Sequence, residues 1–128
     1  MPSGASRPLK FTPEMRLKLG RDFSRVRQQG KRMVNGCLIA NWRLLDAGVH
    51  SRLGVITSGK LGNAVVRSRA RRLLRESFRV HQHDFAQAVD LVLVARQSIV
   101  GKKQSQVERD FLATMRKAGL FGAAREAS

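Results

Sequence analysis

From Gly59 to Arg79 the chain reads as one capped helix with cations on one side and core residues on the other. At the helical advance of about 100° per residue, Val66, Ala70, Leu73, Leu74, Ser77 and Phe78 gather on one stripe. Arg67, Arg71, Arg72, Arg75 and Arg79 gather on the opposite one, with Arg69 between them. The first stripe has to be covered and the second has to face out. A solvated helix face ordinarily mixes signs so that Glu and Lys pair at i, i+4, yet Glu76 is the only acid in the segment. Such a face repels itself and suits a polyanion; its alternative reading is a solubilising face with no specific partner. One-signed arginine clusters present planar forks that fit phosphate better than they fit water, so phosphate recognition is preferred.

The rest of the chain agrees. Its formal net charge of +16 exceeds the roughly 2 to 8 that keeps a small domain soluble, which points to nucleic acid or an anionic membrane. Membrane is the weaker candidate, because no apolar run approaches the ~18 residues of a spanning helix and the basic helix lacks Trp or Tyr at its polar boundary. A second basic region adds Arg7, Lys10, Arg16, Lys18, Arg21, Arg25, Arg27, Lys31 and Arg32 against only Glu14 and Asp22, so an extended or bipartite RNA surface is expected. With no Tyr and one Trp, a sheet that stacks bases as its main device is not expected.

The 128 residues fit one domain that buries a core without disulfides or metal. Cys37 has no second cysteine to pair with and sits in an apolar run, so it reads as a small buried hydrophobe. The opening Met1–Pro8 has no apolar centre to serve as a secretory signal, and a cytoplasmic location is expected. Residues 1–12 read as a flexible basic arm, 13–120 as a single RNA-binding domain and 121–128 as a frayed tail.

Phe23 and Val26, three apart, with Leu17 upstream and Gly30 as terminator, predict a short helix over Arg21–Gln29. Apolar alternation from Met33, broken at Asn35-Gly36, predicts a short strand and a longer one over Cys37–Leu45. After the Asp46-Ala47-Gly48 turn, Arg52–Thr57 reads as a returning strand, and Asn63 as the N-cap of the arginine helix. Val89–Ala95 is a nearly unbroken apolar run, as in a central strand covered on both faces. Ser105-Gln106-Val107-Glu108 has the capping-box pattern, followed by Val107, Phe111, Met115 and Ala118 at helical spacing. The order helix, three strands, helix, strand, helix predicts an α+β sandwich with one mixed sheet.

No protein active site emerges. Gly54-Val55-Ile56-Thr57-Ser58-Gly59-Lys60-Leu61 comes within one residue of a phosphate loop, but Leu61 lacks the hydroxyl for Mg²⁺ and Gly54 lies in a branched strand. The match reads as a strand end meeting a turn, and an autonomous nucleotide hydrolase is disfavoured. His81-Gln82-His83-Asp84 reads as a polar helix end rather than a metal site, since residues two apart point to different sides of a helix. His50 pairs with nothing visible in the sequence, and the scattered acids suggest no carboxylate pair.

The run Gly62-Asn63-Ala64-Val65-Val66-Arg67-Ser68-Arg69-Ala70-Arg71-Arg72-Leu73-Leu74-Arg75-Glu76 closely resembles the arginine-rich signature of the bacterial ribonuclease P protein component family. The likeness extends through Arg21–Val26 and Gly30 upstream and Asp90–Arg96 downstream, about residues 16 to 120. It implies an α-β sandwich like domain 2 of ribosomal protein S5, in the order α-β-β-β-α-β-α with a left-handed βαβ crossover, where pattern reasoning alone predicts the right-handed form. It also implies a monomer in a 1:1 ribonucleoprotein, whose partners are the ribonuclease P RNA and precursor tRNA and whose Mg²⁺ is bound mainly by the RNA. The endonucleolytic chemistry of tRNA 5′ maturation then belongs to that RNA, with no catalytic residue in the protein.

Carried over by position, the resemblance assigns binding of the catalytic RNA to Lys60, Asn63, Arg67, Ser68, Arg69, Arg71, Arg72 and Arg75. Ser68 stands where the family has Asn, keeping a hydroxyl but losing the amide's paired donor and acceptor. For the precursor tRNA 5′ leader the candidates are Phe23, Val26, Arg27, Leu38, Ala40 and Trp42. Arg27 and Leu38 replace aromatics common there, so leader contact is expected to lean on charge; Phe23 also reads as plain core, the preferred reading. The remaining alternative is a ribosomal or ribosome-assembly RNA-binding protein of the same basic sandwich type.

Overall fold

A computed structural model describes residues 9–122 of the chain. They form α1 (Gly20–Gln29), β1 (Lys31–Asn35), β2 (Leu38–Leu44), β3 (Arg52–Ile56), α2 (Ala64–Val80), β4 (Val89–Ala95) and α3 (Gln104–Lys117). The strands make one four-stranded sheet in the order β1-β2-β4-β3. β1 pairs β2 and β2 pairs β4 antiparallel, while β3 and β4 are parallel and joined through α2, because parallel neighbours need a crossover. β4 lies inside the sheet and is buried on both faces except for a partly exposed Val94, as its unbroken apolar run requires.

Strand alternation sorts the side chains into two cores. Leu38, Ala40 and Trp42 of β2, Leu53 of β3 and Leu91 and Leu93 of β4 meet Ala70, Leu73, Leu74 and Phe78 of α2 and Val107, Phe111 and Met115 of α3. On the other face Val92 meets Val26 of α1 and Leu17, with Phe23, Ile56 and Val94 packed around them. The result is three layers: α2 with α3, the sheet, and α1. α2 starts where expected, with the Asn63 Oδ1 accepting the Val66 N–H at 3.1 Å. Its expected apolar stripe is the buried one, Val66 alone being partly exposed.

The ends of the domain differ from expectation. Phe11 lies edge-on to Phe78 at 6.0 Å, the Leu9 carbonyl accepts from Arg79 and the Lys10 carbonyl from Gln82, so residues 9–12 are laid on α2. The remaining residues of the expected arm lie outside the described ones. At the other end Phe121 is buried, 5.3 Å from Phe85 and 6.4 Å from Phe111, and belongs to the core rather than to a frayed tail, of which 123–128 lie outside the described residues. Isolated phenylalanines carry no spacing signal, and only the fold gathers them. α3 begins earlier than expected: Lys103 is the N-cap, and its N–H donates to the Gln106 side chain at 2.9 Å. Glu108, expected to close the capping box, instead meets His81 Nε2 at 2.6 Å.

Candidate nucleic-acid interface

The exposed face of α2 is a held array of guanidinium groups. Arg67 Nη1 donates to the Gly62 carbonyl at 2.8 Å, Arg69 Nη2 to the Lys102 carbonyl at 2.7 Å, and Arg71 to Thr57 Oγ1 at 2.7 Å and Ser68 Oγ at 3.1 Å. These acceptors are neutral, so they aim the forks without cancelling their charge. Among the described residues Arg67, Arg69, Arg71, Arg72 and Arg75 have no carboxylate partner, whereas Arg79 is paired with Glu76. Arg75 shows the crowding: burial first, then Arg16 and Arg71, depress its pKa below the usual arginine value. Polyanion binding relieves that repulsion.

Asn63 is occupied as the cap of α2 and Ser68 as an acceptor for Arg71; both remain exposed, as does Lys60 in the Gly59–Leu61 turn. Gly54 sits inside β3 and that turn is a short 3-10 helix, so the near-match to a phosphate loop is a strand end followed by a turn. A Cβ on Gly54 would stand 2.4 Å from Phe23 Cε1, which shows how tightly the α1 aromatic covers the strand. Phe23 itself is half-buried, packed against Leu17, Val26 and Val92 at the edge of the smaller core.

The leader candidates on β2 require correction. Leu38 and Ala40 are 0% exposed and Trp42 5%, and all three point into the core beneath α2 and α3. They cannot meet RNA on the α1 side. Period-two alternation gives that side to Ile39, Asn41 and Arg43, and a one-residue slip in assigning faces moves the whole set. The polar Asn41 and Arg43 between apolar neighbours were the available signal. Val26, 0% exposed, is core as well, and Arg27 is exposed on the last turn of α1. What the sheet does offer beside α1 is an aliphatic row across all four strands, Val34 opposite Ile39, Ile39 opposite Val94, and Val94 opposite Ile56. Val34 is exposed and the other three are half-buried. The row ends next to Thr57, the residue that holds Arg71, so the sheet face and the arginine face meet at the end of β3.

Beneath α1, Asp90 is buried and takes a two-pronged grip from Arg52, Nε to Oδ1 at 2.9 Å and Nη2 to Oδ2 at 2.7 Å. Arg43 lies 3.9 Å from Asp90, and Asp22 of α1 lies 3.9 Å from Arg52. The Asp90 bonds raise the Arg52 pKa above the ordinary value. The cluster ties α1 to the sheet through Asp22. Sequence reasoning missed it because its members are scattered along the chain.

Among the described residues no group of three or more His, Cys, Asp or Glu side chains is placed to hold a metal ion. His81 instead lies between Asp84 Oδ2 at 3.0 Å and Glu108 Oε2 at 2.6 Å, and His50 Nε2 lies 3.0 Å from the Glu14 carbonyl, a partner the sequence did not show. No helix among the described residues is long and apolar enough to cross a membrane.

Fold and surface together define a basic α-β sandwich with an arginine-faced crossover helix. The family profile for ribonuclease P matches residues 11–119. The chain is 37% identical over 112 residues to the ribonuclease P protein component of Clostridium beijerinckii, covering 83% of this chain and 90% of that protein. Against that of Syntrophomonas wolfei it is 38% identical over 106 residues, covering 83% and 88%. The RNase P protein of Staphylococcus aureus superimposes with a TM-score of 0.77 at 30% identity, over 84% of this chain and 98% of that one. The chain belongs to the ribonuclease P protein component family, and so to an RNA-processing ribonucleoprotein.

Proposed function

We propose that the chain docks on the catalytic RNA of ribonuclease P through Lys60, Arg67, Arg69, Arg71, Arg72 and Arg75, seats the 5′ leader of precursor tRNA beside α1, and so promotes tRNA 5′ maturation. The observation that carries this reading is the set of α2 guanidinium groups braced on neutral oxygens and, among the described residues, left without carboxylate partners. Braced cations lose little freedom on meeting phosphates, and a planar fork binds two phosphate oxygens at once. Contacts to phosphate position an RNA without reading its sequence, which suits a protein that steadies another molecule's active site. By neutralising phosphates where RNA segments converge, the face lowers the RNA's demand for Mg²⁺, which in this reading the RNA itself holds.

The leader surface is assigned to the row Val34, Ile39, Val94 and Ile56 with Arg27 and Arg43 as cations, replacing Leu38, Ala40 and Trp42. The row has no aromatic, so leader contact rests on charge and apolar packing rather than on stacking. A 1:1 complex and a cytoplasmic location go with this reading.

The test is reconstitution with the cognate catalytic RNA. The full chain should raise precursor tRNA cleavage at low Mg²⁺. Combined Arg67→Ala and Arg69→Ala should weaken the complex and flatten the slope of log K against log salt by about 0.7 to 0.9 per lost phosphate contact. Absence of stimulation, with copurification on ribosomal subunits instead, would replace the proposal by the ribosomal alternative.

A further inference from the structure

We propose that the recess between the first turn of α2 and the turn at Ile99–Gly101 takes one unpaired nucleobase of the RNA docked on α2. The inference rests on the proposed RNA-binding role of that helix and adds a base-accepting subsite to it. The recess holds about 220 Å³, walled by Val65, Val66, Ala70, Ile99 and Val100, with Arg69 as its one polar side chain. That is below the roughly 300 to 1,000 Å³ of pockets for drug-sized ligands and suits a single flat heterocycle.

The rim is what calls for an occupant. Val65 is 77% exposed and Val100 45%, an aliphatic pair set in a basic surface. Arg69 lines the recess and is pinned by its bond to the Lys102 carbonyl. A guanidinium plane stacks on nucleobases and still offers donors at its edge.

Charge selects the ligand further. Val65, Arg69 and Arg72 follow one another at i, i+4 and i+7 on one helix face, and Arg72 is exposed with no partner among the described residues. A strand whose phosphates lie on Arg69 and Arg72 can turn one base inward between Val65 and Val100. A second copy of this chain, with its net charge of +16, would be repelled from the same surface.

The experiment uses the full chain and the full catalytic RNA, with Val65→Ser combined with Val100→Ser; both positions are exposed, and a thermal melt checks that the variant folds. Base-edge chemical probing of the RNA should show one nucleotide protected by the unaltered protein and reactive again with the variant. Affinity should fall about 3- to 10-fold, the weak end of base stacking, with the salt slope unchanged. Arg72→Ala, in contrast, should lower the slope. An identical footprint with affinity within twofold overturns the proposal, as does a loss of affinity accompanied by a loss of slope. If the unaltered protein does not bind the catalytic RNA at all, the proposed function fails first and this inference with it.

Discussion

Truncating the two members of the ion cluster under α1 should have unequal effects. Asp90 is 2% exposed and Arg52 32%, and two hydrogen bonds of 2.9 and 2.7 Å join them. In Asp90→Ala the Arg52 guanidinium loses a charge-assisted pair but turns toward water and toward Asp22 at 3.9 Å, so the cost is that of the bonds, about 2 kcal/mol. In Arg52→Ala the carboxylate stays buried with only Arg43 at 3.9 Å, and an uncompensated buried charge costs about 3–5 kcal/mol. Arg52→Met combined with Asp90→Leu removes both charges at similar volume and should return to within about 1 kcal/mol of the original. Urea unfolding followed by the fluorescence of Trp42, the one tryptophan and a buried one, measures all three. Equal costs, or a larger cost for Asp90→Ala, would refute the reasoning that exposure of the surviving partner sets the penalty.

Two further outcomes follow from close contacts. Burial, with Asp110 beside it, raises the Cys37 thiol from 9.0 to about 12; the unfolded chain therefore ionises first, and the contribution of this thiol to stability is fully present below pH 9 and is lost as the pH rises from 9 to 12. The loss should run at about 1.4 kcal/mol per pH unit. Cys37→Ala should flatten that limb, and alkylation of the native thiol at pH 8 should be far slower than in urea; equal alkylation rates would contradict the burial. Gly54→Ala forces Phe23 aside, since the new Cβ would stand 2.4 Å from its ring, and should cost about 1–3 kcal/mol. An unchanged melting temperature would mean that α1 is not seated as described.

The arginine helix was legible in detail because both of its signals are local. An N-cap and a 3.6-residue period act within a few turns, and Asn63 and the stripe from Ala70 to Phe78 stand where the pattern puts them. β4 was legible for a similar reason, its run of apolar residues being sufficient to demand cover on both faces. The faces of β2 were legible in principle, since Asn41 and Arg43 mark the α1 side and leave the larger core to their neighbours, yet the assignment of Leu38, Ala40 and Trp42 to a leader surface ran against that alternation. Phe121, the Asp90 cluster and the partners of Glu108 and His50 were not legible, because each contact joins residues far apart in sequence.

By itself, then, the sequence determined a cationic helix that must bury one stripe and expose the other, a central strand covered twice, and a charge that calls for a polyanion. Periodicity and composition are properties of short segments, and they survive without knowledge of the fold. The tertiary structure alone decided which oxygens brace each guanidinium, that Thr57 joins the arginine face to the exposed sheet row, and that Val65 and Val100 open a recess beside Arg69. Those depend on sheet order and register, which bring β3, α2 and the turn after β4 to one end of the molecule.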